Sequence, residues 1–175
     1  MRVFGFAGWS GSGKTTLIER VIPRLVAAGN RVSLIKHAHH TFDIDQPGKD
    51  SFRHRAAGCE EVLITSGHRW ALMHELRGAA EPTLDDALRR MSAVDLVLVE
   101  GYKAAPIPKL EIWRPSARKP LLYPTDPHIL AIATDSPQAL PPADPQRPLR
   151  FLGLNDSAEI ATFVLAHAVS MPVEY

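Results

Sequence analysis

The sequence has 175 residues, enough for one domain with a full core and short for two. Its 45% hydrophobic and 22% charged content is that of a globular chain, and a net charge of +1 leaves no strong field for nucleic acid or a membrane surface. The single cysteine, Cys59, excludes an intrachain disulfide framework and fits a reducing compartment. No run approaches the roughly 18 apolar residues of a membrane span. The first residues do not read as a signal peptide, so the cytoplasm is the expected location.

Arg2 to Ala7 (RVFGFA) is short, apolar and bounded by glycine, which predicts a buried strand. From Lys14 the period changes. Leu17, Val21, Leu25 and Ala28 share one helical face, Gly29 supplies the stop, and Pro23 inside the pattern predicts a kink or break. Arg31 to Lys36 (RVSLIK) reads as a second strand and completes a βαβ unit. His37 to Asp50 is polar, aperiodic and broken by Pro47-Gly48, so it reads as a loop. SFRHRAAG predicts a short helix ending at Gly58. EVLIT and RWALMHEL predict a hairpin around Ser66-Gly67. TLDDALRRM reads as a helix capped by Thr83, and VDLVLVEG as a central parallel strand. KLEIW and ILAIAT are two further strands. The proline-crowded stretch from Ser136 to Pro148 reads as a surface loop, and DSAEIATFVLAHAV as a closing helix capped by Asp156 or Ser157. With no internal repeat and no linker, residues 1–175 read as one α/β domain: a mostly parallel sheet flanked by helices, the P-loop NTPase fold.

GWSGSGKT fits the phosphate-binding pattern G-x-x-x-x-G-K-[ST] at Gly8, Gly13, Lys14 and Thr15, between a strand and a helix as the chemistry requires. Backbone N–H groups of Ser10, Gly11, Ser12, Gly13 and Thr16 surround a polyphosphate only if the chain turns tightly, which the glycines permit. The helix that follows aims its positive end at the same point. Lys14 adds a charge near the β and γ phosphates, and the Thr15 hydroxyl suits Mg²⁺. Glu100, at the end of a buried strand, supplies the second metal acid; it reaches one methylene further than the usual Asp. A competing role for Glu100 is a pair with Lys103. Asp43, Asp45 and Asp50 are acids suited to approach the metal or orient a water. His37, His39 and His40 raise a zinc hypothesis, against which stands a polar loop of hydrogen-bonding imidazoles. Arg53 and Arg55 suit phosphate or a solvated helix face. Asp135, at the end of ILAIAT, is a candidate guanine reader, against which stands an equal reading as a surface turn before Pro137. Trp9 suits a lid or a partner contact, and Cys59 a small buried residue.

GWSGSGKTTLIERVIPRL, VSLIKHAHHTFDIDQPGKDSFRHRAAG and VDLVLVEGYK…PKLEI together resemble the molybdopterin-guanine dinucleotide biosynthesis protein B family, MobB. The resemblance runs to at least Ile112 and continues more loosely to the closing helix. It implies a GTP-binding adapter of the SIMIBI-type P-loop class, a homodimer with weak, Mg²⁺-dependent GTPase activity. It also implies a place where GMP is joined to molybdopterin. The transfer then belongs to a MobA-type nucleotidyltransferase, and MoeA is a further partner. Gly13, Lys14, Thr15 and Thr16 match the family's phosphate and Mg²⁺ residues, and Glu100 with Gly101 its acid motif. Lys14, Glu100 and Asp50 are the expected catalytic set, and slow turnover is expected without a water-positioning Gln or an arginine in place. Two other classes compete: a small-molecule kinase, for which no compact arginine-rich lid is visible around Arg53, Arg55 and Arg69, and a metal-binding accessory protein using the histidine loop.

Overall fold

The computed structural model describes residues 1–38, 42–142 and 147–171. In chain order the elements are β1 (Arg2–Ala7), α1 (Lys14–Ala27), β2 (Val32–Lys36), α2 (Asp50–Ala56), β3 (Glu61–Thr65) and β4 (Trp70–His74). Then come α3 (Leu84–Arg89), β5 (Leu96–Glu100), β6 (Lys109–Ile112), β7 (Ile129–Thr134), β8 (Phe151–Gly153), α4 (Ser157–His167) and β9 (Val169–Ser170). The chain divides into two compact units, one of Met1–His37 with Leu84–Tyr175 and one of Ala38–Thr83.

The larger unit is built on a sheet of order β2-β5-β1-β6-β7-β8, with every neighbouring pair parallel. β9 adds antiparallel pairing at the start of β1, Arg2 opposite Ser170. Apolar runs form the inner strands because both faces are covered. On one face Phe4, Phe6, Leu98 and Leu110 pack with Leu17, Ile18, Val21 and Leu25 of α1 and with Ile160, Phe163 and Val164 of α4. Phe4 meets the Phe163 ring edge-on at 6.0 Å. On the other face Val3, Val97 and Val99 pack with Leu84, Leu88 and Ile107.

α1 runs unbroken through Pro23, so the expected break does not occur. The proline lies on the exposed face, where the carbonyl that loses its partner meets water. Gly29 takes φ +85° and donates to the Val26 carbonyl while Asn30 N–H reaches Leu25 O, the bond pair that ends a helix on a left-handed glycine. Asp156 caps α4 by accepting from Glu159 N–H at 2.9 Å.

The sequence reading missed β8 and β9, which are three and two residues long. Within KLEIW, read as a strand, the burial of the two charged residues is a finding of the structure. Lys109 and Glu111 are 1% and 0% exposed on the face opposite Leu110 and Ile112. The Lys109 ammonium is held by Asp126 Oδ2 at 2.7 Å and the Lys103 carbonyl at 2.9 Å. Glu111 accepts from the backbone N–H groups of Leu122 and Tyr123, both at 2.8 Å. Burial nevertheless pushes its carboxyl above the usual range, against those two bonds.

The smaller unit holds α2 and the predicted hairpin, with Thr65 opposite Trp70. Its anchor is Arg55, which binds Asp43 at 2.9 Å, Asp45 at 3.4 Å and Glu75 at 2.6 Å. Arg55 is thus neither a solvated helix residue nor free for phosphate. Cys59 corrects the expectation of burial: it is an exposed free thiol after α2. No helix among the described residues is long and apolar enough to cross a membrane.

Candidate functional site

β1 delivers the chain to the carboxyl edge of the sheet, and the loop from Gly8 to Gly13 turns it into α1. Three glycines carry left-handed backbone there, Gly8 at φ +142°, Gly11 at +79° and Gly13 at +97°. At Gly8 the need is also steric: a Cβ would stand 2.5 Å from the Ile112 carbonyl oxygen and 2.9 Å from Ser12 Oγ. Gly13 is the N-cap of α1 and offers no side chain to the helix, whose first turn contains no acid. The orphan N–H groups and the positive helix end are therefore uncompensated by the helix itself. Ser10, Gly11, Thr15 and Thr16 are exposed around this turn. Ser12 is 2% exposed, and its hydroxyl has no hydrogen-bond partner among the described residues.

Lys14 folds back over the loop and donates to the carbonyls of Gly8 and Trp9, both at 2.9 Å. Thr15 Oγ1 donates to Glu100 Oε1 at 3.4 Å. Glu100 is 7% exposed, and its other oxygen lies 3.6 Å from the Lys36 ammonium. The partner is Lys36 because parallel pairing sets Lys36 opposite Glu100. The pair with Lys103 that the sequence suggested is not the one formed. Burial lowers the Lys14 pKa; Glu100 opposes that shift, and Lys103 and Lys36 reinforce it. The Lys14 ammonium thus lies within reach of two further ammoniums, Lys36 and Lys103, and of one buried carboxylate, Glu100. A polyphosphate anion relieves that imbalance, and the Thr15 and Glu100 oxygens are hard donors of the kind Mg²⁺ takes.

The family model for molybdopterin guanine dinucleotide synthesis protein B, MobB, matches residues 3–135, a span holding this loop and Glu100. The chain belongs to the MobB family. The molybdopterin-guanine dinucleotide biosynthesis adapter protein of Escherichia coli (strain K12) is 42% identical over 166 residues, covering 93% of this chain and 91% of that protein. The adapter protein of the same name from Haemophilus influenzae is 42% identical over 165 residues, covering 93% of this chain and 86% of that one. A crystal structure of molybdopterin-guanine biosynthesis protein B (mobB) aligns at TM-score 0.69 and 26% identity, over 94% of this chain and 98% of that one. The crystal structure of Bacillus subtilis MobB, 22% identical, shows the same fold at TM-score 0.72 over 98% of this chain and 100% of that chain. The sheet flanked by helices is the P-loop NTPase fold of these MobB proteins.

Within this MobB fold the turn after Glu100 is also constrained. Gly101 has φ +96°, and a Cβ there would meet His37 Cβ at 2.7 Å. Tyr102 follows at φ +47°, with its ring 4.8 Å from the His37 imidazole. His37 therefore packs beside the acid strand; His39 and His40 lie outside the described residues. Among the described residues no group of three or more His, Cys, Asp or Glu is arranged to hold a metal. Trp9 is pinned, not free: its indole N–H donates to Pro120 O at 2.7 Å, and the Lys103 and Lys119 ammoniums stand 4.6 and 5.7 Å from the ring centroid.

Asp43 and Asp45 are engaged by Arg55 in the smaller unit, and Asp50 opens α2 there with Arg53 at 4.0 Å. Asp135 directly follows β7, and its Oδ2 lies 3.3 Å from Arg114 Nε. Sequence reasoning missed Lys36 and Arg114. Lys36 was legible as the last residue of a strand that a βαβ unit leaves at the same edge. Arg114 gave no local signal, because its importance comes from where β6 lies.

Proposed function

We propose that this protein is a GTP-binding adapter that assists attachment of GMP to molybdopterin, with at most weak GTPase activity. The observation that carries the reading is the Thr15–Glu100 contact at the mouth of the phosphate loop, in a chain 42% identical to adapter proteins along 93% of its length. Gly8, Ser10, Gly11, Ser12, Gly13 and Thr16 cradle the phosphates through their backbone, and Lys14 turns from the loop carbonyls to the β and γ oxygens. Thr15 and Glu100 are the residues that would hold Mg²⁺. The ion supplies positive charge against the phosphates. Glu100 and Lys14 are the residues we assign to whatever slow hydrolysis occurs.

An adapter acts through a contact. Leu63, Trp70 and Leu72 of the hairpin are 59%, 65% and 48% exposed, an apolar face suited to protein partners. We infer that these are a second copy of the chain and a MobA-type nucleotidyltransferase, with MoeA a further one. The exposed Cys59 suits a reducing cytoplasm.

The test is thermal unfolding with nucleotide. GTP with Mg²⁺ at a hundred times its Kd stabilises by about 2.7 kcal/mol. That is a rise of a few degrees in Tm, larger than with ATP, and Lys14→Ala abolishes it. Equal protection by ATP would overturn the guanine assignment, and protection surviving in Lys14→Ala would overturn the loop assignment. Pull-down with GTP from cells making molybdenum enzymes should recover a nucleotidyltransferase.

A further inference from the structure

β6 runs hard against the phosphate loop, since the Ile112 carbonyl is the atom that forbids a Cβ on Gly8. Two residues later Arg114 stands beside the start of α1. Its Cζ and Nη2 lie 3.7 Å, and its Nε 3.9 Å, from the point a Cβ on Gly13 would occupy. Gly13 caps the helix, so a guanidinium sits at the positive end of a helix dipole, with Lys14 next in the chain. Cations belong at the other end of a helix, and this placement is unfavourable without an anion between.

Asp135 compensates in part. Its Oδ2 is 3.3 Å from Nε, while its Oδ1 is anchored by the Ser136 hydroxyl at 3.1 Å. Nε is buried and lacks an aligned hydrogen bond among the described residues, so the contact is an ion pair without a well-aimed N–H. The terminal nitrogens of Arg114 make no hydrogen bond among the described residues. A side chain 39% exposed, held at its inner nitrogen and open at its fork, is built to receive a further anion from the loop side.

We propose that Arg114 binds the polyphosphate of the nucleotide at the Gly13 side of the loop, and that Asp135 is its positioning residue rather than a reader of the base. This rests on the nucleotide-loop reading above. It also supplies an arginine at the phosphates that the sequence alone does not reveal.

The experiment is titration calorimetry with a non-hydrolysable GTP analogue and Mg²⁺ on the full chain. Lys14→Ala, Arg114→Ala, Arg114→Lys, Asp135→Asn and the Arg114→Ala/Asp135→Asn double variant are compared with the native protein. Loss of the charge-assisted bonds of Arg114 should weaken binding about 10- to 100-fold, with Arg114→Lys recovering part of it. Asp135→Asn should weaken binding less and add nothing to Arg114→Ala, because the two act as one unit. Its preference for guanine over xanthine nucleotide should be unchanged. Native affinity in Arg114→Ala, with Lys14→Ala still defective, overturns the inference and leaves the loop reading standing. Failure of the native protein to bind, or native binding by Lys14→Ala, overturns both. A switch of Asp135→Asn toward xanthine nucleotide makes Asp135 a base reader and overturns its positioning role. If Arg114→Ala does not fold, Arg114→Lys and Asp135→Asn carry the same comparison.

Discussion

Glycine has two different roles in the phosphate loop. Gly8 combines φ +142° with a carbonyl oxygen 2.5 Å from any Cβ, whereas Gly11, at φ +79°, has nothing within 4 Å. Gly11→Ala therefore meets only the left-handed penalty, a loss of about 1 kcal/mol in urea unfolding. Gly8→Ala adds the collision with the end of β6, and its loss should exceed roughly 3 kcal/mol. Equal midpoints for the two variants would show that β6 does not press on the loop. The same neighbourhood explains why Glu100 was legible and Arg114 was not. Glu100 ends an apolar strand, a position where parallel sheets gather ligands. Arg114 follows β6 with nothing in its own segment to mark it.

Among the elements, β6 is the one whose sequence misleads. KLEI sends Leu110 and Ile112 into the helix-covered core and Lys109 and Glu111 to the opposite face, where they are fully buried. Each is satisfied by a segment far along the chain, Lys109 by Asp126 and Glu111 by the N–H groups of Leu122 and Tyr123. The strand thus fastens the connection that precedes β7. Asp126→Asn leaves a buried ammonium without its counter-charge and should cost about 3 kcal/mol in unfolding free energy. Replacing both partners, Lys109→Met with Asp126→Leu, should cost less than that single change. A double variant weaker than the single one would argue against a charge-dominated contact. Alternation in KLEI separates the two faces, but it does not show that the polar face is buried, because the partners that satisfy Lys109 and Glu111 lie in the connection to β7.

At the scale of the molecule, apolar burial is unevenly shared. Val97, Leu98 and Val99 are wholly buried in the larger unit, whereas α2 buries no residue and Leu63 and Ile64 of β3 are exposed. The smaller unit leans on Arg55 and its three carboxylates. Hydrogen exchange should therefore show the highest protection in β5 and lower protection in β3 and β4. The hydrogen bonds from Arg55 hold the Asp43 carboxyl below the usual carboxylate range. Its folded pKa lies below its unfolded one, so its stabilisation is complete above about pH 4 and is lost as pH falls through the folded value. Protection factors of the hairpin should fall with acid before those of β5, and Arg55→Met should produce the same loss at neutral pH. Uniform protection across both units, or a hairpin indifferent to acid, would contradict this.

The sequence by itself determined the helices, the strands other than β8 and β9, the hairpin, the glycine-rich loop between β1 and α1, and the acid that answers it. Each depends on short-range chemistry: a period of apolar residues, a turn only glycine permits, or a carboxylate closing a buried strand. The tertiary structure decided the rest. It set Lys36 beside Glu100 through the register of two strands distant in the chain, and it buried Lys109 and Glu111. It gave Arg55 to structure instead of phosphate, and it brought Arg114 with Asp135 to the cap of α1. These are contacts between residues far apart in sequence, whose meaning arises only when parallel strands fix which side chains share an edge.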